Sequence, residues 1–122
     1  MDGSDLVSRV GELAGIDPDD AKRALRATIA SLAEALSTDE ADALGRELPD
    51  SLRPLVRGHA MAMPLDRAGL FENAGVRESV DIGFAIEHTA CVCRALAENM
   101  SPELRARMQQ HLPRLASLFE TS

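Results

Sequence analysis

Six consecutive residues hold most of the chemical potential of this sequence: His88-Thr89-Ala90-Cys91-Val92-Cys93. An imidazole and two thiols in the spacing His-x-x-Cys-x-Cys are the residue types that ligate zinc or carry redox chemistry. On a helix, at 100° per residue, His88 and Cys91 lie close enough to share a metal, while Cys93 turns away from them. Tetrahedral zinc would need further ligands, and no other Cys or neighbouring His supplies them by spacing. Two thiols one residue apart on a helix also point in different directions and do not pair easily. The reading that survives is a core helix with Cys93 inside as a small hydrophobe, His88 on the flank, and Cys91 on the opposite side beside Arg94 and Glu98.

The second group is the "HAMAM" segment, with His59, Met61 and Met63. Alternating soft ligands on an extended stretch suit Cu(I); against that, adaptable Met side chains are good covers for an irregular gap. The carboxylates Asp17, Asp19, Asp20, Asp39, Glu40 and Asp42 cluster where helices are expected to start, and the helix dipole accounts for them there. Glu34 and Glu98 fall on polar helix faces and are expected to be solvated. No Glu-x-x-His pair, nucleophile-elbow glycine or phosphate-binding glycine loop occurs. The expectation is therefore no catalytic, cofactor-binding or metal residue, no cofactor, and no enzyme.

The elements that position these residues follow from composition and punctuation. The 122-residue chain is 45% apolar, with three Phe, no Trp and no Tyr. Its apolar residues are mostly Ala and Leu, which favour helices, and period-two alternation is missing. The fold class is all-α, and the length suits one domain. The net charge is −7, with residues 1–56 carrying 12 acids and 6 bases and residues 57–122 carrying 8 acids and 7 bases. Lys22 is the single lysine. Without a basic cluster, nucleic acid and anionic membranes are poor partners. The opening "MDGSDLVSRV" lacks an apolar leader core, and no run reaches the roughly 20 apolar residues of a membrane span. With two unpaired cysteines expected, the compartment read is a reducing cytoplasm.

Laid over itself at a shift of 64 positions, the sequence aligns without a gap, residues 5–56 on 69–120, with 57–68 connecting them. Ten pairs are identical, among them Leu6/Leu70, Gly11/Gly75, Asp17/Asp81, Leu32/Leu96, Glu34/Glu98 and Pro49/Pro113. This predicts a tandem duplication of a three- to four-helix repeat packed as one compact domain. A first helix is expected near 4–14 and 68–78. Asp17-Pro18 then caps a central helix over 18–36, with Ala21, Leu25, Thr28, Ile29, Leu32 and Leu36 on its inner face. Its counterpart covers 81–99. Ser37-Thr38-Asp39-Glu40 is a capping box for a third helix ending near Glu47, and Ser101-Pro102-Glu103 plays that part in the second half. Pro49 and Pro113 are expected in the first turn of a short fourth helix.

An amphipathic helix ending "LAEALS", then acids, then a Leu-Pro break and a further leucine pair, given twice, resembles the bacterial domain of unknown function 2267. The resemblance spans 5–120. It implies a compact tandem of helical repeats in a soluble bacterial protein, with no catalytic residues to carry over. The chain departs from the family's usual pattern at His88, Cys91 and Cys93 and in its aromatic-poor first half.

One asymmetry bears on function. Over 81–99 the polar residues are only Asp81, Glu87, His88, Thr89, Arg94, Glu98 and Asn99, fewer than over 18–36. Apolar excess beyond a core marks contact surfaces. The expected role is a protein–protein interaction or structural module, binding a protein partner or a second copy of itself. The alternative is a small-ligand or metal-binding protein using His88 with Cys91, or His59 with Met61 and Met63.

Overall fold

A computed structural model describes residues 1–121. Among them the chain forms seven α-helices, a closing 3-10 turn and no strand. In order these are α1 (Gly3–Ala14), α2 (Pro18–Ala33), α3 (Thr38–Glu47), α4 (Arg53–His59), α5 (Arg67–Glu78), α6 (Ile82–Asn99), α7 (Pro102–His111) and the turn Ala116–Phe119. The fold is all-helical and compact, as the composition requires. Helices α5 and α7 begin and end 64 residues after α1 and α3, and α6 begins 64 residues after α2.

Local chemistry sets these boundaries. Asp2, Asp17, Ser37, Asp66 and Ser101 each accept a backbone N–H of the helix they start, satisfying donors with no intrahelical partner. The capping box at Ser37 closes in both directions, with Glu40 N–H to Ser37 Oγ at 3.2 Å and Ser37 N–H to Glu40 at 2.8 Å. Asp81 departs from the pattern. Its backbone has the extended cap conformation, yet its side chain bonds no helix N–H; nothing in the structure explains the difference. Helix α1 ends on Gly15 at φ 68, and α5 ends on Ser79 at φ 62. The left-handed conformation is unstrained for glycine and costs a side-chain-bearing residue about 1 kcal/mol.

Three details differ from the sequence expectation. The central helix α2 stops at Ala33, and 31–36 tightens into three-residue hydrogen bonds, Ala35 N–H to Leu32 and Leu36 N–H to Ala33, both at 3.0 Å. Pro49 does not start a helix. It opens a turn closed by Leu52 N–H at 3.0 Å, and α4 starts at Arg53 with Pro54 in its first turn. Pro113 likewise lies in a turn, before the 3-10 turn. Because proline forces Leu48 into the extended region (ψ 153), α3 must end before a new helix can nucleate.

The helices interlock reciprocally. α1 packs on α2 and on α6, while α5 packs on α6 and on α2; α4 covers the back of α2, and the 3-10 turn covers the back of α6. The inner face of α2 is buried as expected, including Leu25, Ile29 and Leu32, and Leu96 and Cys93 answer them from α6. Residues from 6 to 119 belong to one continuous apolar cluster. Close approach of each first helix to the second depends on glycine. A Cβ at Gly75 would lie 2.9 Å from that of Ala85, and one at Gly11 would lie 3.1 Å from the Ile16 carbonyl oxygen.

Candidate functional site

The six-residue cluster is resolved by burial. Cys93 is fully buried and the apolar surroundings push its thiol up to about 12, so it holds almost no thiolate and is a poor nucleophile and ligand. Cys91 is half-buried, and its thiol is also raised, by desolvation first and then by Glu87, with Arg94 opposing. The side of the helix that carries Cys91 is therefore less open than expected. Its first-half counterpart Ala27 is buried, facing Leu55 and His59 of the covering α4.

His88 is not on a flank open to solvent. It is buried, and its Nδ1 lies 2.5 Å from Oε1 of Glu78, itself buried at the end of α5. An ionised carboxylate only accepts, so Nδ1 carries the hydrogen. Phe84 stands against the imidazole, ring centroids 6.1 Å apart. Sequence spacing missed Glu78 because the pair spans the α5–α6 turn. The signal lay in the repeat register, where both members, and neither alone, are alanine in the other half: Ala14 and Ala24. One helical turn away, Thr89 Oγ1 is buried with no hydrogen-bond partner among the described residues.

The methionine segment is also specified by backbone. Ala62 N–H bonds the Leu36 carbonyl and Met63 N–H the Glu34 carbonyl, both at 2.9 Å. Ala62 has φ 49, which breaks the extended alternation that would place Met61 and Met63 side by side. Both methionines are more than half exposed, and His59 Nδ1 is held 2.8 Å from the Leu55 carbonyl. Among the described residues, no group of three or more His, Cys, Asp or Glu side chains converges as a metal site.

The carboxylates at helix starts do more than cap. Glu34 and Glu98, expected to be solvated, bind across the two halves. Glu98 takes Arg9 at 2.8 and 3.0 Å, and Glu34 takes Arg77 at 2.8 Å and Asn73 at 3.5 Å. Hydrogen bonding from Arg9 holds the Glu98 carboxyl below its ordinary range, outweighing desolvation. Glu47 reaches from α3 to the start of α7, where it accepts both Ser101 N–H and Ser101 Oγ–H at 2.7 Å. It supplies the carboxylate that Leu104 cannot offer at the capping-box position. Glu40 meets His111 of α7 at 2.6 Å. Burial would raise the Glu40 carboxyl, but its bonds from Ser37 and His111 leave it lowered.

Two surfaces remain. In the first half a groove of about 750 Å³ runs between the start of α1, the first turns of α2 and the 49–52 turn, with Asp2, Asp19, Lys22 and Arg26 along its walls. In the second half Arg67 and Phe71 take the places of Gly3 and Val7, with the guanidinium 5.9 Å from the ring centroid. There the outward surface is apolar instead. Val76, Ile82, Phe84 and Ile86 are 76%, 56%, 58% and 44% exposed. Their first-half counterparts are Glu12, Pro18, Asp20 and Lys22.

The fold and these surfaces define an all-helical chain whose polar side chains are spent on caps and on joining one half to the other. No helix is long and apolar enough to cross a membrane among the described residues. The chain belongs to the DUF2267 family of uncharacterized conserved proteins, whose family model matches residues 4–118. No curated protein and no solved structure matches it.

Proposed function

We propose that the protein is a non-catalytic protein–protein interaction or structural module of the cytoplasm, built by tandem duplication of a three- to four-helix unit into one domain. What supports the duplication is the coincidence of helix boundaries 64 residues apart together with the reciprocal packing of α1 on α6 and α5 on α2. The observation that carries the interaction reading is the exposed apolar arc at the α5–α6 turn, at positions that are charged or proline in the first half. Large apolar side chains left in water cost free energy unless a partner covers them. Buried, unpaired Cys93 suits a reducing compartment.

The test is a photo-crosslinking residue placed at position 84 or 86 in living bacterial cells, with positions 20 and 22 as controls. Protein adducts at the first pair and not the second support the reading; no adducts at either pair overturn it. A second reading, soft-metal binding, draws on Met61 and Met63, whose thioethers are 56% and 51% exposed beside His59. Elemental analysis of freshly purified protein decides it: stoichiometric copper or zinc moves the function to metal binding, with His88 and Cys91 as the other site to vary.

A further inference from the structure

We infer that the partner covering the arc is a second copy of this chain, docked about a twofold axis through the first two turns of α6 and the last turn of α5. The inference rests on the interaction reading and names its partner and surface. Successive residues Ile82, Gly83 and Phe84 sweep the outward side of the first turn at 100° each, and Ile86 stands one turn above Ile82. All four are exposed, and a Cβ at Gly83 would meet nothing within 4 Å. The helix therefore offers bare backbone flanked by large apolar side chains, a surface its own chain does not use.

Area and charge both select a copy of the same chain. From their fractional exposure, and at roughly 150–200 Å² per fully exposed large side chain, Val76, Ile82, Phe84 and Ile86 present about 400 Å² of apolar surface. A standard interface takes about 800 Å² from each partner, of which somewhat more than half is apolar, or about 450 Å². The arc is therefore the apolar centre of one side of such an interface. A twofold contact places the same patch on both sides, and an apolar patch is complementary to itself. Charge points to the same half. Residues 57–122 hold 8 acids and 7 bases, so two second halves meet almost without net repulsion, whereas two first halves, each with 12 acids and 6 bases, repel. The charges bordering the arc in sequence, Arg77, Asp81 and Glu87, are of both signs and fit no strongly basic or acidic partner.

The test transfers first-half residues to the second half, as Phe84→Asp and Ile86→Lys, singly and together, in the full chain. Sedimentation velocity across micromolar concentrations should show wild type reaching twice the 13.1 kDa monomer mass. Each substitution should raise the dissociation constant at least about tenfold, as replacement of a central interface side chain does. Thermal melts extrapolated to the monomer should stay within the range of surface changes, which separates loss of association from loss of fold. Wild type that stays monomeric overturns the inference, as does a dimer indifferent to both substitutions. Failure of the inference is distinguishable from failure of the interaction reading. A monomer whose in-cell adducts at position 84 belong to a different protein overturns self-association alone, and a monomer with no adducts overturns both.

Discussion

The two halves of this molecule place the same helices at the same spacing and differ in what they do with two surfaces. At the junction of α1 and α2, Ala14 and Ala24 meet as small apolar groups; at the junction of α5 and α6 the same positions hold the hydrogen-bonded Glu78 and His88. On the outside, the first half carries Glu12, Asp20 and Lys22 where the second carries Val76, Phe84 and Ile86. Polarity has been exchanged between inside and outside. The first half is dry within and charged without; the second is polar at one buried point and apolar without. Since α1, α2, α5 and α6 pack alike, the backbone does not dictate the difference. It belongs to side-chain choices the fold tolerates, and the features to test lie there.

The largest stability effect should come from the buried pair. Replacing His88 or Glu78 alone by Ala leaves the other buried without its partner and should cost about 3–5 kcal/mol, whereas the double change to the alanines of the first half should cost less than the sum. Chemical denaturation of the four proteins in a double-mutant cycle measures the coupling; additive losses would mean that the two junctions are equivalent packing sites. Next come the matched core leucines. Leu32→Ala and Leu96→Ala remove fully buried side chains and should each cost about 2–5 kcal/mol. Denaturant midpoints that differ widely between the two would show that one half yields locally before the other.

A smaller gain is expected from repairing the cap that separates the halves. Ser79→Gly matches Gly15 and should stabilise by about 1 kcal/mol, readable as a rise in melting temperature, because glycine adopts the left-handed conformation without strain. The smallest effect is one of pH. The folded Glu98 carboxyl titrates below its ordinary range, so its contribution is present above that range and lost as pH falls through the folded value. Wild type should therefore lose more stability than Glu98→Gln between neutral pH and about pH 3, with the two curves converging at the acid end. Parallel curves would reduce the α1–α6 bond to a surface contact.

Much of the fold was legible. Helical class, the capping box at Ser37, the cap at Asp17, the α2 inner face and the burial of Cys93 all follow from local periodicity and cap chemistry, which act over three or four residues. What was not legible depends on groups distant in sequence. Glu98 looks solvated until Arg9 is brought to it, and His88 looks marginal until the α5–α6 turn delivers Glu78. Ala27 looks outward until α4 folds back over α2. The proline breaks were read a few residues early because a Leu-Pro step ends a helix without requiring the next to begin. The apolar arc stood between these cases: the scarcity of polar residues over 81–99 pointed to it, but which residues stay in water is settled only by packing.

The bond between Arg9 and Glu98 spans 89 residues, and this has a consequence for synthesis in the cell. Helix α1 leaves the ribosome early, but α6, against which it packs, follows only after most of the chain is made. At about 5–20 residues per second that interval is roughly 5–20 s. Throughout it, the faces of α1 and α2 destined for α6 and α5 have nothing of their own chain to cover them. The nascent first half is thus a natural client for chaperones, and its strong negative charge is what keeps neighbouring nascent chains on a polysome apart until the second half arrives.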